Sequence, residues 1–343
     1  MTGSRPDYRP ATFTRALAIW ALLSVAAVCA IGAAVFLGSS AISFAESWQA
    51  LFAHDDSLAA IAVYDLRLPR ALAAFGTGGL LAAAGCLMQV LLRNPLADPY
   101  VLGLSGGAAV GALGAMLLGA GALLINTGAA FGALLSCVLV FVLANRDLAR
   151  PKIAAAAPES PRLLLTGVML AAAWGALITL ILTLAPDRHL RGMLFWMIGD
   201  FGGVDAYALP LIALACVVLA LAPLLRQLNV LLHGDAVAAS LGVRVGRLRM
   251  SIFLIASIAT AIAVTTAGAV GFVGLVVPHA LRLAIGNDQR VLLPAATIAG
   301  GGLLVVADTI ARVAFAPLQL PVGTVMVLGG VPAFLFLLQR IGR

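Results

Sequence analysis

Charge is what this chain has least of. Of its 343 residues only 10% are Asp, Glu, Lys or Arg, where a soluble domain carries about 25%. Lysine occurs once, at Lys152. A phosphate-cradling P-loop needs Gly-Lys-Ser/Thr at the mouth of a helix, so this chain does not hydrolyse ATP by that route. No HExxH pair is present, and the four histidines, His54, His189, His233 and His279, are scattered. That scatter leaves no metal-ligand set. The four cysteines, Cys29, Cys86, Cys137 and Cys216, lie singly in apolar runs and read as small packing residues.

What is abundant is apolar: 62% of residues are hydrophobic and the mean hydropathy is +1.09. A water-soluble fold of this size could not hide so much apolar surface, so the solvent is a bilayer. The apolar runs are continuous rather than alternating, which predicts helices and not a barrel. Charge-free runs cover 16–45, 71–92, 99–145, 163–186, 206–225, 250–281, 291–307 and 313–339. At ~20 residues per span, 99–145 and 250–281 are too long for one crossing. They divide near 119–121 and 267–274, which gives ten spans.

Loop charge tests that division. With ten spans and the N-terminus inside, 16 of the 21 cations lie inside and five, Arg67, Arg70, Arg188, Arg191 and Arg312, lie outside. Fusing spans seven and eight changes the split to 13 and 8. The positive-inside rule prefers ten, with both termini cytoplasmic. The expected fold is therefore an all-α integral membrane protein of ten transmembrane helices. It forms one domain over 1–343, with a cytoplasmic tail at 1–12 and a cytoplasmic loop at 226–249. The formal charge of +7 follows from this loop bias and does not indicate nucleic acid. The first apolar stretch is too long for a signal-peptide core and reads as an uncleaved span.

A secondary transporter buries ionisable groups near the midplane, and these spans lack them. The nearest candidate, Asp308, reads as a partner for Arg312 one helical turn on. A membrane-embedded enzyme would need a clustered nucleophile or metal set, which is absent. The chain thus reads as a conduit whose energy comes from elsewhere. Glycines four apart, Gly103, Gly107 and Gly111, suit close helix packing.

One inside stretch stands apart: LLHGDAVAASLGVRVGRLRM, 231–250. It is too polar to cross a membrane. Asp235 is a good N-cap residue and Gly242 a good C-cap, which predicts a short helix on the membrane face. Physics alone leaves two readings open, an amphipathic interfacial helix or an insert for a groove on another protein. The paired turns of RNPLADP, 93–99, predict a rigid reversal at Arg93, Asn94 and Pro95. In VVPHALR, 276–282, Pro278 and His279 read as packing and capping residues at the inner end of a span.

Several segments now carry a resemblance: 67–112, beginning RLPRALAAFGTGG; FWMIGDFGGVD, 195–205; LNVLLHGDAVAASLGV, 228–243; 268–312, beginning GAVGFVGLVVPHALR; and LPVGTVMVLGGVPAFLFLL, 320–338. In this order they resemble the permease subunits of bacterial type II ABC importers, which carry iron–siderophores, haem and vitamin B12. The resemblance implies a ten-helix subunit of the bacterial inner membrane, working as a homodimer. Its partners would be two ATPase subunits, which hold ATP and Mg, and a periplasmic substrate-binding protein. No cofactor is expected on this chain. The resemblance implies ATPase coupling at His233, Gly234, Asp235, Ala239, Leu241, Gly242 and Arg244. It implies docking of the binding protein at Arg67, Arg70 and Arg312, where interfacial snorkelling is the blander reading. It marks Arg93, Asn94, Pro95, Pro278 and His279 as structural motif positions. Iron chelates, haem included, are expected slightly ahead of cobalamin as cargo.

Overall fold

In hydrocarbon every backbone polar group must be satisfied within the protein, and a helix does this inside one segment. The computed structural model describes residues 13–39, 42–53, 57–149, 161–203 and 207–341, and within them it contains helices and no strand. The tail at 1–12, Lys152 and Asp205 lie outside the described residues. In chain order the α-helices are α1 (Phe13–Phe36), α2 (Phe44–Ala53), α3 (Leu58–Ile61), α4 (Leu68–Leu91), α5 (Leu104–Leu117), α6 (Ala122–Ala149), α7 (Pro161–Leu184), α8 (Asp187–Ile198), α9 (Ala208–Leu221), α10 (Leu225–Leu231), α11 (Asp235–Ser240), α12 (Val245–Ala267), α13 (Val273–Ile285), α14 (Gln289–Val313) and α15 (Val322–Ile341). A π-helical turn, Ala62–Arg67, joins α3 to α4. A short 3-10 turn joins α9 to α10.

Among the described residues eight helical stretches are long and apolar enough to cross a bilayer. Two shorter apolar helices, α5 and α13, accompany them. They fall where the sequence divides its over-long runs: α5 ends and α6 begins on either side of Gly119 (φ 71°), and α12 gives way to α13 between 267 and 273. At 1.5 Å per residue α5 and α13 are each only about 20 Å long, less than the ~30 Å hydrocarbon core.

Helix α4 is the hub. Almost all of it is buried, with α14, α12, α9, α13 and α1 packed around it. Helices α1, α7 and α15 lie at the rim with mostly exposed apolar surface, as lipid or a neighbouring subunit requires. Glycine sets the closest approaches. A Cβ on Gly78 of α4 would strike the carbonyl of Gly300 on α14, and one on Gly107 or Gly111 of α5 would strike Gly132 or Gly128 of α6. The face of Gly107 and Gly111 is thus the packing face that its spacing predicts. Gly78→Val is expected to cost about 1–3 kcal/mol by overpacking. It should lower the temperature at which the detergent-solubilised chain aggregates. Gly114→Ala adds its methyl to open space and should leave that temperature unchanged.

Several elements extend beyond the charge-free runs. Helix α14 continues through Asp308 and Arg312 to Val313. The rod that contains α4 starts at Leu58 and passes Asp65, Arg67 and Arg70 on its way to Leu91. Amphipathic α8 occupies a stretch expected to be loop, with Arg191 lying 5.7 Å from the Phe195 ring centroid.

Candidate functional site

The chain's chemistry collects at the two ends of α4. These are separated by the length of that helix, about 36 Å at its 24 residues.

At one end lies the 231–250 stretch. Gly234, with φ 110°, turns the chain out of α10, and α11 follows as under two turns of helix. Gly242, with φ 80°, stops it, as the C-cap reading expects. Val243 N donates to Ala238 O at 3.0 Å to close the end. Leu231, Asp235 and Ala238 face inward. His233, Ala239, Leu241, Gly242 and Arg244 are exposed, and Gly234 is half-buried. Val237 and Leu241, one turn apart, are 44% and 66% exposed. The element therefore shows a small apolar face outward, and Arg244 and Arg247 follow it in the chain, both exposed.

Asp235 departs from its expected role. The N-cap is Gly234, with no side-chain cap bond, and Asp235 is the first helical residue. Its carboxylate is buried and pairs with two guanidiniums, that of Arg93 and that of Arg249 at 3.0 Å. Two charge-assisted bonds outweigh one backbone cap bond, so the side chain turns inward.

The turn that supplies Arg93 is rigid for reasons its sequence declares. Asn94 Oδ1 accepts from Leu96 N at 2.9 Å, and Asp98 Oδ1 accepts from Tyr100 N at 2.8 Å. Pro95 lies between them, exposed. Pro278 sits inside α13 rather than at its end. It removes the N–H that the Gly274 carbonyl would receive. Gln89 of α4 fills the gap, its Nε2 donating to Gly274 O and Leu275 O at 3.5 Å each. His279 is buried edge-on to Phe334, ring centroids 5.8 Å apart. It packs and does not cap, since α13 ends at Gly286.

A second pin holds the same end. Asn229 of α10 donates to Asp288 Oδ1 at 2.7 Å and accepts from Gln289 N at 2.7 Å, tying α10 to the start of α14. Hydrogen bonds from Arg290, then from Asn229, hold the Asp288 carboxyl below the ordinary aspartate range despite partial burial.

At the opposite end Arg67, Arg70 and Arg312 come together, but none of them snorkels outward. All three are buried, at 4%, 9% and 4% exposure. Arg67 Nη1 donates to Val35 O at 3.0 Å and Ser47 Oγ at 3.2 Å. Arg70 Nε donates to both oxygens of Asp308, at 2.9 and 3.1 Å, and its Nη2 reaches Asp200 at 3.2 Å. Arg312 lies 3.1 Å from Asp308, the one-turn pair its spacing predicts. Asp308 is thus shared by two guanidiniums at 1% exposure. A cavity of about 320 Å³ opens over this cluster, lined by Arg67, Arg70, Arg312, Asp65, Gln319 and Gly202 among others. Sequence reasoning misses Asp200. Its signal lies in GDFGG, where Gly199 (φ 94°) and Gly203 (φ 84°) bracket an acidic residue in a hinge-like turn. That turn also takes a bond from Gly323 N to Gly199 O and gives one from Asp200 N to Ala267 O. It therefore joins α4, α12 and α15.

Residues 22–340 match the FecCD transport family. The chain belongs to that family. The vitamin B12 import system permease protein BtuC of Escherichia coli is 39% identical over 285 residues, 82% of this chain and 84% of that protein. The cobalamin import system permease protein BtuC of Halobacterium salinarum is 41% identical over 288 residues, 82% of this chain and 74% of that one. Among solved structures, a metal-chelate type ABC transporter in an inward-facing conformation superposes with a TM-score of 0.81 at 25% identity, over 94% of this chain and 99% of that one. This FecCD-family chain has, among its described residues, no group of three His, Cys, Asp or Glu placed to hold a metal ion.

Proposed function

We propose that the chain is the membrane-spanning permease of an ATP-driven importer, working as a homodimer in the inner membrane with both termini cytoplasmic. The ten crossings are the eight long helical stretches together with α5 and α13. One observation carries the reading: an exposed apolar turn of helix at one end of the bundle faces away from an arginine-lined cavity at the other, in a chain with no nucleotide-binding motif of its own. The α11 face, His233 to Arg244, seats in a groove of each ATPase subunit, where ATP and Mg are held. Acidic side chains of a periplasmic binding protein enter the opposite cavity and share the guanidiniums of Arg67, Arg70 and Arg312. Opposed charges there speed encounter and fix register more than they set affinity.

The cargo class is cobalamin or an iron chelate. The relatives named above favour cobalamin, which reverses the order expected from sequence. Outside the two charged clusters the helices offer apolar surface, suited to releasing a large rigid cargo rather than holding it.

The test is uptake into liposomes holding the chain with its ATPase, the binding protein supplied outside. Cyanocobalamin, haemin and a ferric siderophore are measured in parallel, with and without ATP. Uptake of one of them only with ATP is expected. Uptake that needs no ATPase would overturn the reading.

A further inference from the structure

We propose that Asp235 is a positioning residue that latches the coupling helix to the body of the permease, its carboxylate bridging Arg93 at the end of α4 and Arg249 near the start of α12. The proposal rests on the importer reading and says how movement at α11 enters the bundle.

Helix α11 has six residues, far short of the ~12 needed for a helix to persist without support. Its inward flank offers only Ala238 for apolar contact. A flank that small would let the helix slide along the bundle, because apolar packing is not directional. A carboxylate shared between two guanidiniums is directional, and it is the kind of buried ionic contact that fixes register. Asp235 Oδ2 takes Arg249 Nη1 at 3.0 Å and Oδ1 takes Arg93 Nη2. The two arginines belong to different elements, so the bridge ties α11 to both at one point.

The backbone supports the same reading. Arg93 sits at φ 46°, one of two non-glycine residues with positive φ among the described residues. A residue in that region is held there by its surroundings. Its N–H bonds to Val90 O at 3.3 Å and the next N–H to Gln89 O at 3.2 Å, which wind the end of α4 into the turn. That turn aims the Arg93 side chain at Asp235, while Asn94, Pro95 and Asp98 stiffen the segment behind it. The motif 93–99 thereby gains a chemical role, which is to present a guanidinium to the coupling helix. With Asn229 pinning α10 to α14, a displacement of α11 is carried into α4, α12 and α14 together. Helices α4 and α14 move as one because Gly78 and Gly300 bring them into backbone contact, and Arg70 and Asp308 join them at the far end.

Two measurements test this on Arg93→Gln and Arg93→Lys. Arg93 is chosen because its side chain is 31% exposed and its replacement buries no new charge. The first is amide exchange of residues 235–240 in the full chain in nanodiscs, without partners. Arg93→Gln is expected to raise exchange there at least tenfold, and Arg93→Lys to restore it to within about threefold. Unchanged exchange in Arg93→Gln overturns the latch, whatever transport does. The second is cargo imported per ATP hydrolysed in the reconstituted importer, with cyanocobalamin, haemin and a ferric siderophore as probes. Arg93→Gln is expected to lower this ratio about tenfold, with Arg93→Lys recovering most of it. Faster exchange with an unchanged ratio overturns the coupling role. A wild-type importer that moves none of the probes with ATP overturns the importer reading instead, and the exchange result still decides the latch.

Discussion

With Val237 and Leu241 both replaced by aspartate, the chain is expected to lose its ATPase subunits while still folding. The two side chains lie one turn apart on α11 and are exposed, so nothing inside the permease depends on them. In a groove of the ATPase they would each bury apolar surface worth about 1.5–3 kcal/mol. Aspartate forfeits that and adds an unpaired carboxylate to a desolvated contact. The sum is a loss of at least ~4 kcal/mol, on the order of 1,000-fold in affinity. Co-purification of the ATPase with tagged permease reads the effect, and the melting temperature of the permease alone reads its independence. ATPase retained at wild-type level would remove α11 from the interface.

Asp308→Asn is expected to damage the fold rather than a transport step. The carboxylate is buried between Arg70 and Arg312, and a neutral amide leaves both guanidiniums uncompensated. Breaking a buried ion pair by removing one partner costs about 3–5 kcal/mol. The aggregation temperature in detergent should fall by on the order of 10 °C, and the yield of folded chain should fall with it. Adding Arg312→Met should recover part of the loss, since neighbours in one network are not additive. A proton-coupled transporter predicts the opposite: a stable Asp308→Asn chain that has lost coupling.

These two aspartates show where sequence reasoning stops. Both stand out in the sequence, and both read there as local. Asp308 does pair with Arg312 four residues on, because helical spacing alone brings them together. It also binds Arg70, 238 positions away, and through Arg70 it meets Asp200. Asp235 reads as a cap because capping is a local signal, yet its partner Arg93 is 142 positions away. The same blindness shortens α4 and α14. A charge-free run stops at the first arginine, whereas a helix continues through any charge that the fold neutralises. Arg67, Arg70 and Arg312 read as outward-facing because an unpaired charge belongs at a surface, and pairing is a property of the assembled bundle.

Composition, run length and glycine placement decided by themselves that this chain is a bundle of membrane helices, where its over-long runs break, and that a short helical element stopped by Gly242 lies between two of them. These are consequences of local periodicity and of the cost of bare backbone in lipid. The tertiary structure alone decided which charges are spent inside the bundle and which face out. Ion pairs form between side chains that meet in space, and no period in a sequence records a meeting across a hundred residues or more.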